Sequence, residues 1–354
     1  MRIAGLCRSN VRSMGIVIVG AGFAGVATAY HLARRGVSGI VVVEREEGPG
    51  LHASGRNAGL LRQSSPDDAL VPLLRRGARA ARSVLRGVPG ALQPSGSLIL
   101  GDAIHRMQGG PRARIRDAAH FVPGLEGQAL HDPEDALVDP IALLGRLLAA
   151  ARARGVRFLF DEGVLSVKGG KVETTQRTLD AEMLVVAAGA WSEEVAALAG
   201  SRAVHLEARR RHLFRGSVGG REPSAWPFVW HESEGVYFRP ESGGVLLSPC
   251  DAEPHPARSP DVDKRCHDLL AQKLTAVFPD VGDWRVGPGW ACLRTFARDE
   301  RFVIGRDPHA PRLFWVAGLG GHGVTAAWAV GRLAAEVFLG RAEPGPFDPR
   351  RFAD

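Results

Sequence analysis

Apolar and polar positions follow two different patterns along the chain. In its first, middle and last parts, continuous apolar runs lead into glycines and are followed by segments with helical spacing. Between 204 and 306, short apolar runs are instead separated by turn residues, which predicts an antiparallel sheet with one helix at 261–277. The chain is therefore predicted to be an α/β protein whose second domain is α+β.

Individual elements can be assigned from these patterns and from their end signals. The predicted helices are 24–35, 67–86, a short basic helix at 111–119, 140–154 and 325–339. The predicted strands before residue 204 are 16–19, 40–43, 97–100, 156–160, 164–167, 171–175 and a buried strand that starts at 183 and opens onto Gly189. Those after it are 212–215, 229–231, 236–239, 244–248, 290–295 and 313–317.

The first apolar strand ends in a glycine-rich turn that is typical of dinucleotide binding. Gly20 permits the tight turn, Gly22 lets backbone N–H groups approach a pyrophosphate, and Gly25 lets the following helix lie close to the strand. Glu44 follows the second apolar run and can accept hydrogen bonds from both hydroxyls of an adenosine ribose. The phosphates would lie at the positive end of the helix 24–35. These features predict a doubly wound, Rossmann-type dinucleotide-binding domain.

Size and composition favour a globular protein without a membrane span. The 354 residues suffice for two domains, and the longest apolar runs fall well short of the roughly 20 residues that cross a bilayer. The net charge is +7, but the arginines that supply most of it are scattered, so we expect no nucleic-acid partner. The four cysteines have no ligand-like spacing, which predicts no metal site and a reducing, cytoplasmic environment.

The first residues of the chain have no apolar core of the kind that a signal peptide requires. Residues 1–13 are predicted to be a disordered extension. Met14 is an alternative start, because the first strand begins two residues later.

Five motifs occur in one order along the chain: the Gly20–Glu44 unit, the loop from His52 to Gly59, the run Val185–Trp191, the segment Trp290–Phe296, and Gly320–Gly323. An ordinary nicotinamide dehydrogenase does not need a second strand-to-glycine element and a third glycine loop before its last helix. In combination the motifs resemble the FAD-dependent D-amino-acid oxidase superfamily, and its glycine oxidase and D-arginine dehydrogenase branch most closely. The resemblance runs from Met14 to about Leu339.

The resemblance implies a discontinuous architecture and a reaction. An FAD-binding domain would comprise 14–88, 136–203 and 297–354, and a substrate domain with an antiparallel sheet would comprise 89–135 and 204–296. The substrate would be a D-amino acid or a glycine-like amino acid whose amine is neutral in the reactive form. Its Cα hydrogen would leave as hydride to flavin N5, and the imino acid would hydrolyse to a keto acid and ammonia. Oxygen or another acceptor would take the electrons.

The resemblance and the glycine motifs together assign a set of residues to the cofactor. His52 matches a cofactor-side position, although a histidine there could equally be a polar residue whose hydrogen bonds are satisfied within the protein. The predicted cofactor-binding residues are Gly20, Gly22, Phe23, Ala24, Gly25, Glu44, Arg45, His52, Ser54, Arg56, Asn57, Ala58, Gly59, Val164, Ala188, Gly189, Trp191, Gly318, Gly320, Gly321, His322, Gly323 and Val324.

Four residues are candidates for substrate binding and catalysis. Arg294 lies mid-strand in an apolar context, where its planar fork suits a substrate carboxylate; a structural ion pair is the alternative. Tyr237 matches the active-site tyrosine of the family, or is a core tyrosine. Arg210 or Arg211 matches a second substrate-side arginine, and since strand residues alternate in direction we favour Arg211. His322, between two glycines, is predicted to lie near the flavin pyrimidine.

Two departures from the D-arginine branch bear on the substrate. Leu60 and Leu61 replace a tyrosine of that branch, and residues 86–100 contain no acid that could pair with a guanidinium. A small or apolar side chain is therefore predicted. Fast oxygen reactivity in the sarcosine oxidase branch is associated with a lysine beside the flavin, and the four lysines here lie outside every flavin motif, which favours a dehydrogenase or a slow oxidase.

Other functions stay open at this point. Oxidation of a secondary amine such as sarcosine or proline, or of a 2-hydroxy acid, is compatible with the same scaffold. An RNA-base-modifying flavoprotein is an alternative of another class, suggested by the sequence pI of about 9.8. The FAD is predicted to be held without a covalent link, because the loops 52–59 and 318–324 contain no cysteine, with His52 as the remaining attachment point.

Overall fold

The computed structural model describes residues 12–202, 204–278 and 281–353. In these ranges the α-helices are α1 (Phe23–Ala33), α2 (Val71–Val84), α3 (Pro140–Arg152), α4 (Ser192–Leu198), α5 (Arg265–Val277) and α6 (Gly323–Phe338). The strands are β1 (Arg12–Val19), β2 (Val37–Val43), β3 (Leu60–Leu61), β4 (Leu92–Gln93), β5 (Ser97–Leu100), β6 (Arg114–Asp117), β7 (Gln128–Asp132), β8 (Ala136–Val138), β9 (Arg157–Leu159), β10 (Val164–Lys168), β11 (Lys171–Thr174), β12 (Thr178–Asp180), β13 (Met183–Val186), β14 (Leu206–Val218), β15 (Phe228–His231), β16 (Val236–Glu241), β17 (Gly244–Ser248), β18 (Trp284–Ala297), β19 (Val303–Arg306) and β20 (Leu313–Ala317).

A six-stranded sheet with the order β19-β20-β13-β1-β2-β9 forms the centre of the α/β part. Strand β1 pairs in parallel with β2 and with β13, so that Val19 lies opposite both Val43 and Val186. The carboxyl ends of these strands therefore meet at one edge of the sheet, where an open α/β sheet binds its ligand. This arrangement confirms the predicted doubly wound α/β fold.

Helices and a small sheet cover the two faces of this central sheet. The largest core cluster joins one face to α1, α2, α3 and α6, and its members include Ile16, Leu32 and Phe314. Helices α1 and α6 approach very closely, because a Cβ atom on Gly331 would lie 2.5 Å from the carbonyl carbon of Ala27. The other face packs against α4 and the sheet β10-β11-β12. Helix α3 begins at its predicted cap, Asp139, whose carboxylate accepts two backbone hydrogen bonds.

The second large sheet has eight strands in the order β18-β14-β17-β16-β15-β5-β7-β6. All its pairings are antiparallel except that of β15 with β5, which is parallel. Helix α5 packs on one face, while the opposite face turns Leu213, Phe228 and Tyr237 toward the α/β part. Strands from both segments of the predicted substrate domain share this sheet; the domain boundaries themselves stay predictions. No helix in the described ranges has the length and apolar character needed to cross a membrane.

The prediction of a short basic helix at 111–119 is wrong. Residues Arg114–Asp117 form β6, which pairs with β7 at the edge of the eight-stranded sheet. All four of its side chains are exposed, so this edge strand shows no alternation of apolar and polar residues that sequence could reveal. Of the predicted extension 1–13, residues 1–11 lie outside the described residues, and β1 begins at Arg12.

A buried histidine lies between the two most closely packed helices. His31 is fully buried in α1, and its ring makes edge contacts with Tyr30 and with Trp328 of α6. Its Nδ1 accepts a hydrogen bond from Arg35, whereas Nε2 has no partner. Burial, together with the charges of neighbouring arginines, lowers the pKa of His31 to about 3. The folded protein therefore holds this ring in its neutral form.

This histidine makes stability depend on pH. Because the folded-state pKa of His31 lies below the 6.5 of a free histidine, its contribution is fully present above pH 6.5 and is lost as the pH falls toward 3. Lowering the pH to 5 should cost about 2 kcal/mol of unfolding free energy through this residue. In His31→Leu the free energy of unfolding should fall by about 2 kcal/mol less between pH 7 and pH 5 than in the wild type. Urea unfolding at the two pH values measures this difference. His105→Leu, at an exposed position, is the control. An unchanged decline in His31→Leu would contradict the assignment.

Candidate active site

A cavity of about 410 Å³ lies between the carboxyl ends of the central strands and the inner face of the eight-stranded sheet. Its volume falls in the range of ligand sites in proteins. The two ends of the cavity differ in the residues that line them. Glycine turns and acidic residues line one end, and arginines and aromatic residues, mostly from β14, β15, β16 and β18, line the other.

The first glycine turn brings three backbone segments into contact. Gly20 has a φ of +106°, and a Cβ atom there would lie 2.5 Å from the carbonyl oxygen of Ala187. A side chain at Gly25 would overlap the carbonyl oxygen of Gly20, so this residue sets the distance between helix and strand. The N–H of Phe23, in the first turn of α1, donates to the Ser54 hydroxyl at 3.1 Å. The turn thus presents backbone and hydroxyl groups where a pyrophosphate would bind.

Glu44 is held directly beside this turn. Its Oε2 accepts from Ala21 N–H at 2.8 Å, and its Oε1 accepts from Glu46 N–H at 3.2 Å. Each carboxylate oxygen can accept a further hydrogen bond, as the two hydroxyls of a ribose require. Glu44 therefore keeps acceptor capacity on both oxygens, and its binding of a ribose stays a prediction.

An aromatic and cationic cluster lies next to Glu44. The Arg45 guanidinium stands 3.8 Å from the centre of the Trp191 ring, and the His52 ring packs on the same indole at 4.6 Å. His52 Nε2 also lies 2.8 Å from Glu46 Oε1, which accepts from Arg45 Nε as well. His52 therefore has partners within the protein, and it lies at the Glu44 end of the cavity.

The loop 52–59 is held in shape by its own hydrogen bonds. The Asn57 side chain donates to the carbonyl oxygens of Ala53 and Ser54 and accepts from Gly59 N–H. The Trp290 indole of β18 donates to the carbonyl oxygen of Arg56 at 3.3 Å. The loop thereby ties the nucleotide end of the cavity to the eight-stranded sheet.

The third glycine loop connects β20 to α6. Gly320 has a φ of +51°, and a Cβ atom there would lie 2.6 Å from the Phe296 ring. His322 is the cap residue of α6, and it is not among the residues that line the cavity. Burial, together with the charges of Arg62 and Arg294, lowers its pKa to about 3. His322 is therefore a half-buried, neutral ring at the positive end of a sixteen-residue helix.

Arg294 and Tyr237 lie together at the other end of the cavity. Arg294 Nη2 donates to the Tyr237 hydroxyl at 3.3 Å, and no carboxylate in the described residues forms an ion pair with this guanidinium. Within the described residues, Arg294 therefore does not form the structural ion pair that was the alternative to a binding role. A buried guanidinium without an acidic partner is suited to an anionic ligand.

Strand alternation separates the two neighbouring arginines as expected. Arg211 lines the cavity, and its Nε donates to the carbonyl oxygen of Asp251 at 2.6 Å. Arg210 projects to the other side and pairs with Glu253 and Asp263. Burial, and then the charge of Arg294, lowers the pKa of Arg211. Both guanidinium-bearing side chains line the same cavity, and they come from the neighbouring strands β14 and β18.

A buried histidine supports Arg211 from behind. His212 Nδ1 lies 2.7 Å from Asp251 Oδ2, and His212 Nε2 accepts from Asp263 N–H at 2.9 Å. Cys266 lies near this pair, in a grouping that resembles a metal site. Both ring nitrogens are already hydrogen-bonded, however, so the histidine has no lone pair left for an ion. We assign His212 to positioning the Asp251 segment, on which Arg211 rests.

Several residues that line the same end of the cavity were not predicted from the sequence, among them Arg62 and Trp230. Arg62 follows β3 and stacks on Trp230 of β15, with the guanidinium 4.6 Å from the ring centre. The signal for Arg62 in the sequence is a charged residue directly after the apolar pair Leu60 and Leu61. A charge in an apolar context is also the signal that identified Arg294.

Nearly all predicted site residues line this one cavity. The exceptions are Gly25, which packs the helix on the strand, and His322, which caps α6. Those that line it are Gly20, Gly22, Phe23, Ala24, Glu44, Arg45, His52, Ser54, Arg56, Asn57, Ala58, Gly59, Val164, Ala188, Gly189, Trp191, Arg211, Tyr237, Arg294, Gly318, Gly320, Gly321, Gly323 and Val324. The glycine turn, the Glu44 carboxylate and the Ser54 hydroxyl fit a dinucleotide cofactor.

Comparison with known proteins agrees with this arrangement. Monomeric sarcosine oxidase of Streptomyces avermitilis is 29% identical to this chain over 382 residues, which cover 96% of the chain and 97% of the relative. Glycine oxidase of Bacillus licheniformis is 25% identical and covers 92% of each. Among solved structures, L-proline dehydrogenase from P. horikoshii matches 96% of this chain and 98% of its own, with a TM-score of 0.85 at 22% identity. Glycine oxidase from Geobacillus kaustophilus matches 95% and 98%, with a TM-score of 0.77 at 23% identity. These structures share the fold.

The comparison with protein families is the decisive one. The model of the DAO family, described as FAD dependent oxidoreductase, matches residues 15–337. This range contains the glycine turn, Glu44 and the arginines of the far end of the cavity. The chain therefore belongs to the DAO family of FAD-dependent oxidoreductases, and its cofactor is FAD.

Proposed function

We propose that this protein oxidises the CH–NH bond of an amino acid that has a free α-carboxylate, either a D-amino acid or a glycine-like substrate. The observation that carries the proposal is the Arg294–Tyr237 pair, which faces the cavity without an acidic partner. Of the relatives named above, the glycine oxidase is named for a substrate of this class, and the sarcosine oxidase and the L-proline dehydrogenase are named for secondary amines that also carry a carboxylate. Secondary amines with a carboxylate are the nearest alternative.

The proposed roles follow from the contacts. Arg294 would bind the carboxylate through two parallel N–H donors, and Tyr237 would add one hydroxyl donor. Arg211, held by the Asp251 carbonyl oxygen, would complete the binding site. FAD, when bound along the glycine turn and Glu44, would accept the hydride that leaves Cα. Fixing the carboxylate fixes the direction of that Cα hydrogen, which is the main contribution of the protein.

The same charges favour the reactive form of the substrate. An ammonium group placed beside buried guanidinium groups is repelled, so the pKa of the substrate amine falls in the site. The neutral amine has the lone pair that forms the C=N bond as hydride leaves. His322 does not add a positive charge, because its pKa is lowered to about 3.

We propose that FAD is bound without a covalent link. Two cysteines line the cavity, Cys250 and Cys292, and burial raises the pKa of both thiols, which reduces the thiolate that could attack a flavin. Acid precipitation of the holoprotein should therefore release the yellow colour into the supernatant. Colour kept in the pellet would contradict this, and substitution of each cysteine and of His52 would then locate the attachment.

We propose that oxygen is a poor electron acceptor for this protein. No lysine lines the cavity in the described part of the chain, and Lys273 instead donates to the carbonyl oxygens of Gly235 and Pro249. Turnover with an artificial acceptor such as dichlorophenolindophenol should exceed peroxide formation in air-saturated buffer at least tenfold. Rapid peroxide formation with the same substrate would identify an oxidase instead.

The carboxylate-binding pair gives the central test of the proposed function. Arg294→Lys keeps the charge but loses the bidentate geometry. It should cost about 2–5 kcal/mol in kcat/KM for carboxylate substrates, the range for breaking a buried charge pair. Tyr237→Phe should cost about 0.5–1.5 kcal/mol, as expected for one hydrogen bond. The measurement is anaerobic flavin reduction with D-amino acids, glycine, sarcosine and proline.

Arg209→Lys is the matched control. Arg209 lies opposite Arg294 in the β14–β18 register, but its guanidinium pairs with Glu207 and Glu300 outside the cavity. If Arg294→Lys kept its FAD and stayed within about threefold of the wild type, a loss under 1 kcal/mol, the substrate would not be a carboxylate. A screen with 2-hydroxyglutarate separates amine from alcohol oxidation.

A further inference from the structure

We propose that the substrate carries a second carboxylate, which Arg62 binds. This inference rests on the proposed function and narrows its substrate class to dicarboxylic amino acids. The second carboxylate could belong to the side chain, as in D-aspartate, or to a substituent on the nitrogen, as in N-(carboxymethyl)glycine. Both would present the same pair of anionic groups to the cavity.

Arg62 is built into the cavity wall in a fixed orientation. Its backbone N–H donates to the Thr325 hydroxyl at 3.1 Å, which fixes the chain beside the first turn of α6. Its guanidinium lies 4.6 Å from the centre of the Trp230 ring and lines the cavity, and its Nη1 atom is buried without a hydrogen-bond partner. Leaving a charged donor unpaired in a buried place is costly, so this atom indicates a ligand that supplies an acceptor.

The position of Trp230 places Arg62 next to the carboxylate-binding pair. Trp230 and Tyr237 lie directly opposite each other in the β15–β16 register, so their side chains project from the same face of the sheet. Tyr237 in turn contacts Arg294. A ligand whose first carboxylate is bound by Arg294 and Tyr237 therefore has Arg62 within the reach of a short second arm.

A single substrate carboxylate would not neutralise the positive charges at this end of the cavity. Three guanidinium groups, those of Arg62, Arg211 and Arg294, line it, and the charge of Arg294 acts on both of the others. Burial lowers the pKa of Arg62 to about 10, so this group is still charged at neutral pH. A single α-carboxylate supplies one negative charge to three positive ones. A dicarboxylate supplies two.

The protein itself offers Arg62 little compensation. The carboxyl group that acts on it is that of Asp135, which already accepts from the Ser97 hydroxyl at 2.7 Å and from Gln63 N–H at 3.0 Å. Burial, and then the neighbouring Asp132, raise the pKa of Asp135. Asp135 forms no ion pair with Arg62, whose Nη1 stays unpartnered. An anionic group of a ligand would supply the acceptor that Nη1 lacks and would add to the weak compensation from Asp135.

This inference departs from the small or apolar side chain that the sequence favours. That expectation used the aliphatic pair Leu60 and Leu61 and the lack of an acid for a cationic substrate. It did not consider the arginine that follows. The absence of an acid argues against a cationic side chain, and the presence of Arg62 argues for an anionic one.

Binding of inert carboxylates to the holoenzyme gives the first test. Acetate, propanoate, malonate, succinate and glutarate would be titrated against the flavin absorbance and against thermal stability, neither of which requires turnover. At least one of the three dicarboxylates should bind roughly 30-fold more tightly than acetate or propanoate, the lower end of the range for a buried charge pair. Equal binding of mono- and dicarboxylates would overturn the proposal.

Variants at Arg62 give the second test. Arg62→Met should reduce the preference for the best dicarboxylate over propanoate at least tenfold, and Arg62→Lys should restore part of it, because the charge returns without the fork. Arg79→Met, on the exposed face of α2, is the matched control and should leave the preference unchanged. If Arg62→Met weakened both classes of carboxylate equally, the arginine would act on the flavin or on the fold, and the proposal would be overturned.

Turnover separates the two sources of the second carboxylate and separates this inference from the proposed function. D-aspartate, D-glutamate and N-(carboxymethyl)glycine would be compared with D-alanine and sarcosine by kcat/KM. Reduction of the flavin by D-alanine or sarcosine, with no advantage for any dicarboxylate, would overturn the inference and keep the proposed function. Failure of every amine to reduce the flavin, with tight binding of a dicarboxylate, would overturn the proposed function and keep an anion site at Arg62.

Discussion

The site depends on one close approach of backbone to backbone. At the end of β1, Gly20 lies so near the Ala187 carbonyl that a side chain there would strike it, and Gly25 lies as near to Gly20. These contacts bring the ends of β1 and β13 and the start of α1 together around one point. Glu44 can be held by Ala21 N–H only because the turn is this tight. Every group that would bind the nucleotide half of FAD is placed relative to this turn.

The other half of the cavity depends on electrostatics more than on packing. Arg211 and Arg294 lie on neighbouring strands of the eight-stranded sheet, and Arg62 reaches the same space from the α/β part. Each is held by a neutral partner: a carbonyl oxygen, a phenol or an indole. Neutral partners orient a guanidinium without neutralising it, so the positive potential stays available to a ligand. The central sheet thus positions the residues predicted to bind the cofactor, and the eight-stranded sheet, together with Arg62, supplies a positive potential at the other end of the cavity.

The sequence alone predicts those parts of the fold and of the candidate site that depend on a few neighbouring residues. The glycine turn, Glu44 and the strand-to-glycine run at Gly189 each have a steric or hydrogen-bonding reason that can be seen in a few neighbouring residues. Arg294 could be identified because a charge in an apolar strand needs an explanation. Arg62 satisfies the same test but was overlooked. The strand at Arg114–Asp117 could not be identified, because its pairing with β7 is decided by the sheet and leaves no pattern in its own exposed residues.

The order of strands in the central sheet has a consequence for how the chain folds. Strand β1 is completed on one side by β2, which is near in sequence, but on the other by β13, which begins only at Met183, and then by β20, which begins at Leu313. Contacts of such large sequence separation form late, because the intervening chain must be ordered before they can close. During synthesis the cofactor cavity therefore stays incomplete until the loop after β20 and the start of α6, which line it, have left the ribosome. FAD can then stabilise only a chain in which these late elements have formed, so the supply of flavin acts after them rather than at the beginning of folding.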